Sequence, residues 1–110
     1  MIFDKQGTTT IVTRESVSLE TFLERLKNSY DTIQHDNLII NLFSLDTFTL
    51  EDMLLFLEIS DKHRSRKRSF VLVTDKISYD EIPDELVVVP TLQEAYDIIE
   101  MEEIERDMGF

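Results

Sequence analysis

Asn37–Glu58 reads NLIINLFSLDTFTLEDMLLFLE, and its order of strand, loop and helix decides the fold. Asn37 to Leu42 is an apolar run of strand length, followed by the polar loop Ser44 to Thr47. Thr49 can cap the helix that comes next, because Asp52 stands three residues on in capping-box position and Phe48 can staple onto Met53. The spacing predicts a helix running to about Lys62.

The same reading extends outward in both directions. Upstream, the β-branched run Thr8 to Thr13 follows Gly7, so Met1 to Asp4 and Thr8 to Thr13 read as a hairpin or paired edge strands. From Ser18 the period becomes helical: Leu19, Phe22, Leu23, Leu26 and Tyr30 share a face, Ser18 is the N-cap, and Val17 staples onto Phe22. That helix is expected from Leu19 to about Tyr30. Downstream, Phe70 to Val73 (FVLV) and Leu86 to Val89 (LVVV) lack polar alternation, as parallel strands covered on both faces do. Ile77 to Glu85 can hold only a short helical turn before Pro83. Thr91 and Glu94 open a last helix whose Leu92, Ala95, Tyr96 and Ile99 form one stripe. Strands joined by crossover helices imply an α/β fold, a mostly parallel four- to five-stranded sheet with α-helices packed on it. At 110 residues the chain is expected to be a single domain, 1–110.

Composition narrows the chemistry. The chain has no cysteine, which removes disulfides, thiolate metal sites and thiol nucleophiles. Eleven basic against 23 acidic residues give a net charge of -12, which repels nucleic acid and anionic lipid. Met1 to Gly7 lacks a signal-peptide pattern and no apolar run approaches membrane-spanning length, so a cytoplasmic setting without membrane contact is expected. Five of the basic residues fall within Lys62 to Arg68; they read as a solvated connector at a helix C-terminus or as a docking patch for an acidic partner.

Catalytic and cofactor signals are missing. His35 and His63 stand alone in polar stretches and read as surface residues, with no partner at ligand spacing. The two glycines, Gly7 and Gly109, lie at the ends of the chain, so no phosphate-cradling loop exists. Glu100, Glu102, Glu103, Glu105 and Asp107 fall around a helix and read as a solvated face. No metal, cofactor or catalytic residue is expected. The second helix is less simple. Leu50, Met53, Leu54 and Leu57 define one face, while Leu55, Phe56 and Ile59 point toward the opposite side. This second stripe is either covered by other parts of the chain or is an interaction surface.

The order of elements, with NLIINLFSLDTFTLEDMLLFLE, resembles the STAS (SpoIIaa-like) domain, the fold of anti-sigma-factor antagonists and of the cytoplasmic tails of sulfate transporters. In that family an Asp-Leu pair ends a strand, and Asp-Ser-Ser-Gly or a relative of it opens the second helix. Here Asn41 and Leu42 occupy the Asp-Leu position, Leu45 matches the loop leucine, and Thr49, Leu50, Glu51 and Asp52 occupy the motif. The family's regulatory serine is thus replaced by Glu51, which cannot be phosphorylated. Thr47 and Thr49 are the nearest hydroxyls, and the cap role alone explains Thr49. The later VVVPTLQEAYDII also looks like the last strand and helix of such domains. The C-terminal stretch from Pro83 is similar to a group of short Bacteroidetes STAS-like proteins that sometimes bear the name ribonuclease Z, an enzyme whose His-x-His-x-Asp-His zinc motif has no counterpart here.

The resemblance implies a non-enzymatic bacterial regulatory or protein-interaction domain without the family phospho-serine. Its partner, or a second copy, would be met through the second helix and the loop before it: Asp46, Thr47, Thr49, Glu51, Leu55, Phe56 and Ile59. The alternative is a small ligand-binding or enzymatic α/β domain that uses Asp46, Thr47 and Thr49 in the loop Ser44 to Thr49, where parallel sheets commonly bind ligands.

Overall fold

A hairpin opens the fold. In the computed structural model, which describes residues 1–109, β1 (Ile2–Gln6) pairs antiparallel with β2 (Thr9–Thr13). The two-residue turn Gly7-Thr8 needs positive φ at its first position, and Gly7 supplies φ 63° there without a Cβ clash. Thereafter β3 (Asn37–Asn41), β4 (Phe70–Val73) and β5 (Val87–Val89) add in parallel, giving the sheet order β1-β2-β3-β4-β5. The crossovers are α1 (Leu19–Ile33), then α2 (Leu50–Leu54) with α3 (Leu57–Ser65), then a 3₁₀ turn at Tyr79–Glu81; α4 (Leu92–Asp107) closes the described chain.

Alternation along each strand splits the core in two. Val12, Ile40, Leu72 and Val88 stand in register on one face and pack under α1 and the α2–α3 segment. Ile11, Ile39, Val71 and Val87 stand in register on the other, where α4 covers them with Ala95 and Ile99. Two covered faces are the reason β3 and β4 lack polar alternation.

The predicted caps form. The Ser18 hydroxyl accepts from the Thr21 amide, Thr49 and Asp52 make the reciprocal capping box, and the Thr91 hydroxyl accepts from the Glu94 amide. The predicted second helix departs from expectation. At Leu55 and Phe56 the amides bond back three residues, to the Asp52 and Met53 carbonyls, and the ordinary four-residue bond resumes from Ser60 to Phe56. This tightened turn divides α2 from α3.

The acidic C-terminal helix is only partly the solvated face predicted for it. Glu102 Oε2 takes a 2.8 Å ion pair from Arg64, and Glu103 Oε2 accepts from Thr8 at 3.0 Å and from Asn37 at 3.3 Å, so these carboxylates tie α4 to α3 and the sheet. The cationic stretch is likewise occupied within the chain. Besides the Arg64 ion pair, Arg68 Nε donates to the His35 carbonyl, Lys67 turns the chain at φ 65°, and Lys62 lies 4.8 Å above the Tyr30 ring.

Candidate functional site

The parallel strands end, at their C-terminal side, under the loop that leads from β3 into α2. Two anchors shape this loop. The Leu45 amide bonds to the Leu42 carbonyl, and the Phe43 amide bonds to the Asn41 side chain at 3.1 Å. Arg14, at the end of β2, locks it from the side: its Nη1 donates to Ser44 Oγ at 2.8 Å, Ser44 Oγ donates to the Arg14 carbonyl at 2.9 Å, and Nη2 donates to the Val17 carbonyl. Phe48 plugs the end of the loop into the core beside Phe56, ring centroids 6.3 Å apart.

Asp46, Thr47, Thr49 and Glu51 all lie exposed on this loop and the first turn of α2. Thr49 and Asp52 are engaged with each other, Asp52 N to Thr49 Oγ1 and Thr49 N to Asp52 Oδ2, both 3.1 Å. Thr49→Ala removes one of the two bonds and leaves the Asp52 amide without its acceptor. The expected loss is about 1 kcal/mol in urea titrations, and a Thr49→Ser variant should recover most of it.

The apolar stripe is corrected by the structure. Of Leu55, Phe56 and Ile59, only Leu55 faces solvent, at 44% exposure; Phe56 and Ile59 are core residues at 0% and 4%. Conversely Leu50 and Leu54, read as the buried face, are exposed, Leu57 is half-buried, and Met53 alone of that set is fully buried. The inward stripe is Met53, Phe56, Ile59, Ser60 and His63, which also falls at helical spacing. It carries two polar residues, Ser60 and His63, whereas the competing stripe of Leu50, Met53, Leu54 and Leu57 is wholly apolar. The exposed large apolar side chains of this segment are therefore Leu50, Leu54 and Leu55 on and just after α2 and Phe43 on the loop before it, which also carries Asp46 and Thr47.

His63 is the second correction. It is fully buried, where a surface position was expected; His35 is exposed, as read. Its Nε2 lies 2.7 Å from the Asp36 carbonyl and its Nδ1 lies 2.6 Å from the Tyr30 hydroxyl. A carbonyl can only accept, so Nε2 carries the hydrogen, and Nδ1 accepts from Tyr30. Burial is the largest of the influences that lower the ring's pKa from 6.5 to about 4, with Arg66 and Arg68 adding to it and the Asp36 carbonyl opposing. The imidazole is neutral at pH 7 and fully engaged, a structural hydrogen-bond hub. No sequence-local signal marks it, since both partners come from α1 and the turn after it.

Chemically, the loop offers hydroxyls, carboxylates and apolar surface. Among the described residues no group of three or more His, Asp or Glu side chains is arranged to hold a metal ion, and no helix is long and apolar enough to cross a membrane. No family model and no curated protein matches the chain. Among solved structures it is similar to Moorella thermoacetica RsbS carrying a serine-to-glutamate substitution, with a TM-score of 0.60 and 19% identity over 89% of this chain and 95% of that one. The likeness joins the observed strand order and helix placement in one conclusion: the fold is α/β with a five-stranded, mostly parallel sheet flanked by helices, the STAS architecture.

Proposed function

We propose that the chain is a non-enzymatic, STAS-type regulatory domain that binds a protein partner, or a second copy, through α2 and the loop before it. The observation that carries the reading is the exposure of Phe43, Leu50, Leu54 and Leu55 around a loop that Arg14 and Ser44 hold in one shape. Covering three such leucines recovers on the order of a few kcal/mol, while the carboxylates of Asp46 and Glu51 at its border supply orientation. A loop already locked loses little conformational entropy on binding. Because Glu51 stands where the family resemblance places the regulatory serine, the interaction is not switched by phosphorylation at that position. The setting proposed is the bacterial cytoplasm.

The deciding experiment compares affinity capture and mass spectrometry from native cells using the wild-type chain, Leu54→Lys and Leu55→Lys, with light scattering to report self-association. Both positions are exposed, so melting temperatures should stay within a few degrees of wild type. A partner or dimer present with wild type and lost with both variants supports the reading; complexes that survive both substitutions would overturn it. The purified protein is further expected to carry no stoichiometric zinc by elemental analysis and to leave RNA substrates intact. Metal-dependent RNA cleavage abolished by changes at Asp46 or Thr47 would favour the enzymatic alternative instead.

A further inference from the structure

The outer flank of α4 lies on the opposite face of the sheet from α2, and it is unlike an ordinary solvent-facing helix. Ala95 and Ile99 seal the sheet, yet Ile98, Met101 and Ile104 follow one another at three-residue spacing on the adjoining flank, with Met101 at 58% and Ile104 at 53% exposure. Tyr79, from the 3₁₀ turn, and Pro90 stand with Ile98 and Met101 around a groove of about 370 Å³. The groove runs beside β5, the edge strand, which is hydrogen-bonded within the sheet only to β4.

The charge around this groove has one sign. Asp75 to Gly109 contains 12 acidic and 2 basic side chains. Both cations are already engaged, Lys76 with Asp75 and Arg106 with Ser69 and Asn37. Glu94 and Asp97 line the groove itself. The Tyr79 phenol is held above its ordinary pKa first by burial and then by the carboxylates of Glu94 and Asp75.

We infer that this groove is a second docking surface, whose occupant is a basic segment of a protein partner: apolar side chains between Tyr79 and Met101, lysine or arginine against Glu94 and Asp97. An apolar floor with an acidic rim selects that chemistry. A second copy of the chain would bring two acidic faces together and is opposed by their repulsion. With α2 on the other face, the domain joins two partners.

The test uses the full chain and three fluorescein-labelled peptides, one alternating lysine with leucine, one lysine with serine and one glutamate with leucine, followed by anisotropy and amide chemical shifts. The lysine-leucine peptide should bind best, weaken as salt rises, and perturb the amides of Tyr79, Ile98 and Met101. Met101→Glu and Asp97→Lys should each weaken it by about tenfold or more, whereas Leu54→Lys should leave it unchanged. Equal binding of the lysine-serine or glutamate-leucine peptide overturns the inference, as do perturbations confined to another face. A dimer seen by ultracentrifugation and dissociated by Met101→Glu would make the occupant a second copy. Unfolding of Met101→Glu, whose residue is mostly exposed, would place that flank in the core and end the proposal.

Discussion

Phe56→Ser is expected to leave much of the chain unfolded at room temperature, while Leu55→Ser next to it changes the melting temperature by no more than a few degrees. Phe56 is fully buried at the junction of α2 and α3, its ring against Phe48 and its neighbours drawn from the largest core cluster. Truncating such a residue costs about 3–5 kcal/mol through lost transfer energy and the cavity left behind, and an unpartnered serine hydroxyl adds roughly 1–3 kcal/mol more. Domains of this size are stable by only about 5–15 kcal/mol, so the loss consumes most of what holds the chain together. Leu55 loses little by the same change because it is already wet. Thermal melts followed by circular dichroism separate the two. A Phe56→Ser protein that melts within a few degrees of wild type would show that the inward stripe has been misplaced.

The second large effect is a loss of stability on acidification that traces to one side chain. In the unfolded chain the His63 imidazole titrates at its ordinary 6.5, but in the folded protein it does so at about 4. Between those values the unfolded state binds a proton that the native state refuses, so stability is full above pH 6.5 and falls as the pH is lowered toward 4. At 1.36 kcal/mol per pKa unit the loss amounts to about 3 kcal/mol. The native ring refuses the proton because a buried cation would stand beside Arg66 and Arg68, and because Nδ1, which now accepts from the Tyr30 hydroxyl, would have to become a donor and turn that hydroxyl round. Urea titrations across this range on wild type and His63→Gln test the assignment. Glutamine can keep one donor for the Asp36 carbonyl and one acceptor for Tyr30 but does not titrate, so the variant should start less stable at pH 7 and lose the His63 share of the slope. An unchanged slope would assign the acid sensitivity to other groups. Tyr30→Phe leaves Nδ1 without a donor and should cost about 1–3 kcal/mol at pH 7.

The hairpin and the three capped helix starts were legible because each rests on interactions that span a few residues, and the parallel strands because continuous apolar runs mark them whatever their distant partners are. Ser18 with Thr21, Thr49 with Asp52 and Thr91 with Glu94 are three-residue contacts, and the FVLV run reports burial on both faces directly, whereas the LVVV run lies at the sheet edge, where Val87 and Val89 are only half-buried. Boundaries moved little: α1 extends three residues past Tyr30, and β5 begins one residue later than Leu86. The loop segment of the candidate site, Asp46 to Glu51, was likewise legible, since its position follows from the order of strand and helix on either side.

What the sequence determined alone, then, was the strands, the three capped helix starts, their order and the end of the sheet at which the loop emerges; the division of the second helix into α2 and α3 was not among them. Tertiary structure decided which of two apolar stripes on the α2–α3 segment turned inward. Taken by itself, the leucine-rich stripe buries as well as the other; the stripe with Ser60 and His63 wins because His63 finds Tyr30 33 residues away and the Asp36 carbonyl 27 residues away, while Phe56 finds Phe48. The Arg14–Ser44 lock, across 30 residues, was invisible for the same reason. A polar residue becomes a core residue only when the folded chain delivers its hydrogen-bond partners, and those partners stand too far away along the chain for any local periodicity to announce them.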